Sequence, residues 1–122
     1  ITVQDTPKEK LNSMTDGVHQ GVAAAISPVE YTPFEELLEK VSGKKDSLIL
    51  LLDRVEDPHN LGAIIRTATA AGADGIILPK RRSSPITSVV YKSSAGTVDL
   101  MPISTVSNLS NTIKTLKKRC FF

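Results

Sequence analysis

The residues Asp57-Pro58-His59-Asn60-Leu61-Gly62, with Arg66 four positions further on, gather side chains that could do chemistry. A guanidinium is planar and suits a phosphate or a developing oxyanion. A histidine can carry a proton near neutral pH. Each has an ordinary use as well. Asn60 reads as the N-cap of a helix, His59 as a polar loop residue without a carboxylate partner, and Arg66 as a surface arginine. What gives the group weight is its place in the chain.

That place is a joint between a strand and a helix. The apolar run Ser47–Leu52 reads as a buried strand, and the stretch from Leu61 to Gly72 as a helix. Asp57 precedes a proline, which keeps it out of the α region, so the chain must turn before the helix begins. Leu61, Ile64, Ile65 and Ala68 form one apolar stripe. Ala63, Thr67 and Ala70 make a small-residue side that a second element could approach, and Gly62 permits close contact. Arg66 points away from the apolar stripe. Gly75–Leu78 reads as the next strand, so the unit is βαβ with parallel strands and a right-handed crossover. Chemistry in open α/β sheets collects at the carboxyl ends of the strands, where this joint lies.

The basic loop Lys80-Arg81-Arg82, running on to Pro85, follows the second strand and belongs on the same rim. Two basic features on one rim point to an anionic polymer or a phosphate group. Aromatic residues make up only 4% of the chain, which argues against a base-stacking platform. Elsewhere, residues 1–17 are polar and without period, resembling a linker or mobile arm. Val18 to Ser27 reads as a short strand closed by Pro28. Pro33 is placed to open a helix that Gly43 ends, and Lys44-Lys45-Asp46 forms a solvated turn. Thr87–Lys92 predicts a short helix, and Val98–Val106 a strand confined to an edge or bend by Pro102. Asn108–Lys118 predicts a helix with Leu109, Ile113 and Leu116 on one face and Lys114, Lys117 and Lys118 around the other.

Bulk properties set the bounds. A chain of 122 residues with 40% hydrophobic and 23% charged content can form one small domain and is not a disordered segment. A net charge of +2 is too small to mark a nucleic-acid binder by itself, so basic patches must be local. One cysteine, Cys120, permits no internal disulfide, and no Cys/His cluster offers a metal site; both favour a cytoplasmic setting. No apolar run approaches the roughly 18–20 residues that span a bilayer. The first residues lack the features of a signal peptide and read as a cut end. The terminal Cys120-Phe121-Phe122 reads as a strand that continues into further protein.

The stretch LLDRVEDPHNLGAIIRTATAAGADGIILPKRRS, Leu51 to Ser83, resembles the first signature of the SpoU (TrmH-like) RNA ribose methyltransferases of the knotted SPOUT superfamily. The resemblance extends through Tyr91–Val98 and Val106–Leu109. Upstream, His19-Gln20-Gly21-Val22 is similar to the start of the catalytic domain in the subgroup that methylates a guanosine ribose in large-subunit ribosomal RNA. It implies an α/β fold, a parallel sheet with flanking helices forming the first half of an α/β-knot domain. It also implies methyl transfer from S-adenosylmethionine to a ribose 2′-hydroxyl. Asn60 and Arg66 match the family's catalytic positions, with Arg66 at the attacking hydroxyl. Ribosomal RNA is the implied substrate, a homodimer the implied assembly, and neither metal nor membrane is involved.

The later family signatures, a Gly-Glu-Gly loop and an Ile-Pro-Met loop leading to a Ser-Leu-Asn helix, are absent. In the family they tie the knot, form most of the cofactor pocket and supply the dimer contact. The resemblance therefore makes residues 1–17 a linker from an RNA-binding domain and residues 18–122 the first part of the catalytic domain. No cofactor-binding residue is expected in this chain, which should be inactive alone. A rival expectation is a non-catalytic RNA-binding module using Lys80, Arg81, Arg82 and Lys92. A nucleotide-binding redox fragment is weaker still, because no Gly-rich phosphate loop is present.

Overall fold

The computed structural model describes residues 2–15 and 17–119. In chain order the elements are α1 (Lys8–Met14), α2 (Phe34–Val41), β1 (Ile49–Leu51), α3 (Pro58–Ala70) and β2 (Gly75–Pro79). There follow α4 (Ser88–Ser93), a 3₁₀ turn (Thr97–Asp99), β3 (Ile103–Val106) and α5 (Leu109–Lys118). The strands form one parallel sheet in the order β1-β2-β3, with Ile49 opposite Gly75 and Ile76 opposite Ile103. The parallel βαβ reading holds.

Alternation along β2 divides the core between two faces. Ile76 and Leu78 point to the layer made by Leu61, Ile65 and Ala68 of α3 with Val90, Val98, Met101 and Ile103. Ile77 points the other way, to Leu37 and Leu38 of α2 and Leu116 of α5. A parallel strand covered on both sides has to be apolar throughout, which is why Gly75–Leu78 contains no polar residue. Each fully buried Ile or Leu in this sandwich contributes about 1.5–3 kcal/mol.

α3 begins earlier than its apolar period indicates. Asp57, at φ −80° and ψ 121°, is the N-cap, and its carboxylate accepts the N–H groups of His59 (2.7 Å) and Asn60 (3.1 Å). Pro58 takes the first helical position, where its missing N–H costs nothing. Asn60 is therefore not the cap, as its type suggested, but a first-turn residue. An aspartate before a proline outcompetes it because Pro58 already has the helical φ and the carboxylate satisfies two donors together. The helix ends at Ala71 and Gly72. Gly72, at φ +76°, lets Ala73 N–H reach Ala68 O (2.9 Å) while its own N–H bonds Thr69 O (3.1 Å), a Schellman stop.

The close approach to α3 comes on a different side from the one expected. Thr67 and Ala70 face solvent, and Ala63 is half-buried. The neighbour, α4, crosses at Gly62 instead, where a Cβ would stand 1.9 Å from Ser93 Oγ and 2.9 Å from the Ser94 backbone nitrogen. Ser93 is anchored there by donating to Val89 O at 2.8 Å.

Several other expectations shift. β1 is shorter than Ser47–Leu52 and only half-buried, because no described strand covers its outer edge. Val18–Ser27 forms no strand: Val22 and Ile26 are exposed, and the backbone bond to the edge of β3 comes from beyond this segment, Thr32 N–H donating to Ile103 O (2.8 Å). Pro28 and Pro33 bracket residues 29–32, and each lacks the N–H donor that a longer pairing strand needs. Pro102 likewise stops β3, so residues 97–99 wind into the 3₁₀ turn. α1 forms without an apolar period, and none of its residues is buried. In α5, capped by Asn108, Thr112 replaces Ile113 on the buried face. Cys120–Phe122 lies outside the described residues.

Lys44 is more than a solvated turn residue. It ion-pairs with the Asp74 carboxylate, which also accepts the Leu48 N–H at 3.0 Å, tying together the turns that lead into β1 and β2. The Lys44 hydrogen bond holds the Asp74 carboxyl below its usual range. Partial burial opposes this, and the Leu48 N–H and the Lys44 charge reinforce it.

Two outcomes follow from this packing. Gly62→Ala should lower stability by about 1–3 kcal/mol in denaturant titration, because overpacking against Ser93 outweighs the roughly 1 kcal/mol helix-propensity gain. Asp74 binds a proton more weakly folded than unfolded, so its contribution is complete above the unfolded carboxylate pKa of about 4 and is lost as pH falls through the lower folded value. The Tm difference between the parent and Asp74→Asn should therefore shrink on acidification below about pH 4. An unchanged difference down to about pH 2 would refute the assignment.

Candidate functional site

The loops after β1 and β2 meet on the carboxyl rim of the sheet and are fastened to each other. Ser84 N–H donates to Val55 O at 2.8 Å, and Lys80 N–H donates to Val106 O at 2.8 Å. The first bond ties the basic loop to the loop leading into α3, and the second ties its start to the end of β3. The expectation that Lys80–Arg82 shares a rim with the start of α3 is thus met by direct hydrogen bonding. In each loop one arginine adopts a left-handed backbone, Arg54 at φ +56° and Arg82 at φ +58°. Such conformations cost a non-glycine residue roughly 1 kcal/mol or more, and surrounding contacts must hold them.

Asn60 lies at the end of α3 nearest this rim. With Asp57 serving as cap, its side-chain amide is left without a hydrogen bond to any described residue, and it faces an open cleft of about 550 Å³. Arg54, Val55, Glu56, Asp57, Ala63 and Ile64 complete the lining. Arg66 is exposed and lies beyond that lining, further along the helix. Helical geometry separates Asn60 and Arg66 by about 9 Å along the axis and about 120° around it, and both are exposed, on different flanks of the outward side of α3. His59 is exposed and its ring contacts no described hydrogen-bonding partner.

Electrostatically, the rim is unspent. Arg66, Lys80, Arg81 and Arg82 form no ion pair with any described residue. Away from it, Lys40 pairs with Glu36 at 2.8 Å and Arg119 with Glu35 at 2.8 Å. Arg54 has only a loose 3.9 Å contact with Asp53. Lys92 stands apart from the other basic candidates, its Nζ donating to Val18 O at 3.2 Å and so tying residues N-terminal to α2 to α4. Unpaired guanidinium and ammonium groups beside an open cleft can bind phosphates and stabilise negative charge developing on an oxygen.

A second rim pocket of about 230 Å³ is lined by Tyr31, Pro79, Lys80, Ser83, Ser84, Pro85 and Thr105. Neither Arg54 nor Tyr31 is flagged by sequence reasoning. A left-handed arginine leaves no mark in composition, whereas Tyr31 is one of two tyrosines in an aromatic-poor chain, a faint signal. A larger hollow of about 840 Å³ lies among residues 6–21, but a single local stretch lines it and no strand end reaches it. The rim cavities are better placed for chemistry. Among the described residues no group of three or more His, Cys, Asp or Glu could hold a metal ion, and no helix is long and apolar enough to cross a membrane.

Residues 47–122 match the SpoU rRNA Methylase family, and residues 1–32 match the RNA 2′-O ribose methyltransferase substrate-binding family. A TrmH family tRNA/rRNA methyltransferase of Staphylococcus saprophyticus is 50% identical over 118 residues, 96% of this chain and 47% of that protein. Among solved structures, an AdoMet-bound rRNA methyltransferase from Sinorhizobium meliloti superposes with a TM-score of 0.61 at 36% identity, covering 74% of this chain and 33% of that one. The SpoU methyltransferase AviRb from Streptomyces viridochromogenes gives 0.57 at 29% identity, covering 67% and 32%. The chain spans about half the length of the curated relatives it matches. With a parallel sheet, fastened rim loops and a family match across β1 to α5, the chain belongs to the SpoU rRNA methylase family.

Proposed function

We propose that the protein transfers a methyl group from S-adenosylmethionine to a ribose 2′-hydroxyl of ribosomal RNA, the substrate nucleoside being a guanosine of the large-subunit RNA, and that it acts as a homodimer in the cytoplasm. In this reading residues 1–17 are the linker from an RNA-binding domain, and residues 18–122 are the first part of the catalytic domain. Asn60 and Arg66 are the catalytic residues, and Lys80, Arg81, Arg82 and Lys92 bind RNA. The observation carrying the proposal is the pair Asn60 and Arg66, both without described side-chain partners, on the outward side of a helix that starts at the strand tips.

A ribose hydroxyl is a weak acid, so its oxygen must gain negative character before it can attack a methyl carbon. A guanidinium is a poor base at neutral pH. The role that suits Arg66 is to steady charge on that oxygen, with a neighbouring phosphate held by the basic loop. Asn60 can orient the ribose through its free amide. The described residues do not by themselves fit S-adenosylmethionine. The rim cleft is an open groove with no glycine in its lining, and Gly62 of α3 already has Ser93 packed against it. The donor's contacts are accordingly assigned to residues outside this chain, and Asn60, Arg66 and the basic loop serve the RNA side of the reaction.

Arg66→Ala in the full-length protein should lower methyl transfer to a ribosomal RNA transcript by about 10²–10³-fold, the usual effect of losing one oxyanion-stabilising group. Binding of S-adenosylmethionine should stay near normal, and unimpaired turnover would remove Arg66 from the mechanism. The 122-residue chain alone should give no micromolar S-adenosylmethionine isotherm in calorimetry; a clear one would contradict the division of the site. The unpaired cations of the basic loop also allow a non-catalytic RNA-binding module. Salt-sensitive RNA binding by the full-length protein with no methylation of any ribosomal RNA would favour that alternative.

A further inference from the structure

The pocket under Tyr31 differs in character from the rest of the rim. Tyr31 is 40% exposed in a chain with two tyrosines and no tryptophan. It is also held firmly. Ile86 N–H donates to the phenolic oxygen at 3.3 Å, leaving the phenolic O–H free to donate. The next residue is locked to β3 on both sides of its peptide. Thr32 N–H bonds Ile103 O (2.8 Å), and Ser104 Oγ donates to Thr32 O (2.6 Å). A preorganised aromatic loses little entropy when a planar group stacks on it.

The walls add polarity suited to a nucleotide. Lys80 supplies an unpaired ammonium, Ser83 and Thr105 supply hydroxyls, and Pro79 and Pro85 supply flat apolar surface. At about 230 Å³ the space lies below the roughly 300–1,000 Å³ of pockets for drug-sized ligands, so it fits one heterocyclic base better than a whole cofactor. Through the Ser84–Val55 hydrogen bond it is coupled to the loop that leads to Asn60, keeping both cavities on one rigid rim. Single-stranded RNA is commonly read by bases splayed onto aromatic side chains, with their phosphates on nearby cations.

We propose that this pocket receives one unpaired nucleobase of the RNA substrate, stacked on Tyr31 with its phosphate on Lys80, at a nucleotide neighbouring the one that is methylated. The inference rests on the methyltransferase reading and adds a specificity subsite to it. It makes the enzyme a reader of a flanking single-stranded base. A continuous duplex would leave the pocket empty.

The test uses the full-length protein and single-stranded RNA oligonucleotides with 2-aminopurine at successive positions. Stacking should quench emission strongly at one position and weakly elsewhere. Tyr31→Phe keeps the ring and should retain both the quench and the affinity, whereas a purely structural Tyr31 would suffer from losing its bond to Ile86. Tyr31→Leu fills the space without a π face and should abolish the quench and weaken binding about 10- to 100-fold at unchanged salt slope. Lys80→Ala should keep the quench and reduce the salt slope by about one.

Parent-like binding and quench in Tyr31→Leu would overturn the subsite. So would a parent protein that quenches at no position, a readout that stands even if the Leu variant fails to fold. Methyl transfer without any quench would sink the subsite alone. Absence of both RNA binding and methyl transfer would sink the methyltransferase reading, and the subsite with it.

Discussion

The Asp57 carboxylate sets the start of α3 by accepting the N–H groups of His59 and Asn60 while Pro58 holds the first helical position. This one cap, worth about 0.5–2 kcal/mol, has consequences beyond its energy. It frees the Asn60 amide from helix-capping duty and directs it to the rim cleft. It fixes the phase of the helix, and therefore which side Arg66 occupies. It also places Gly62 on the buried flank, where α4 can cross at contact distance. Begin the helix at Leu61 instead, and Asn60 becomes a capping group with no side chain to offer a substrate.

Paired and unpaired charges are placed at opposite ends of the sheet. At the amino ends of the strands, Asp74, Lys44 and the Leu48 N–H bind the turns leading into β1 and β2, spending their charges on each other. At the carboxyl ends, Lys80, Arg81 and Arg82 form no ion pair with any described residue, Arg54 keeps only its loose contact with Asp53, and the loops are held by backbone hydrogen bonds. A rim fastened through main-chain groups keeps its side chains available for an anionic ligand. Strained backbone at Arg54 and Arg82 fits the same arrangement, since positive φ in a non-glycine residue persists only where neighbours enforce it.

Membership in the SpoU rRNA methylase family follows from a match over most of the chain, and the solved relatives share its sheet. The geometry adds two distinct cavities within the rim. The cleft beside Asn60 and the pocket beneath Tyr31 are separate cavities, with no lining residue in common, whose loops are joined by the Ser84–Val55 hydrogen bond. Lys92 lines neither cavity, and its ammonium donates to Val18 O.

Sequence alone determined what depends on neighbours along the chain. The pre-proline turn, the apolar period of α3, the all-apolar β2, the helix after β3 and the basic loop after β2 could all be read directly, because local sterics and hydrogen bonding settle them. The family resemblance of Leu51–Ser83 was legible for the same reason: its motif is one continuous stretch. Tertiary structure decided the rest. The false strand at Val18–Ser27 had a strand-like composition but no partner edge to bond, the face of α3 that meets α4 depended on where Ser93 arrives, and the half-exposure of β1 depended on its place in the sheet. The pocket at Tyr31 unites residues from three separated stretches, and only long-range packing can bring those together.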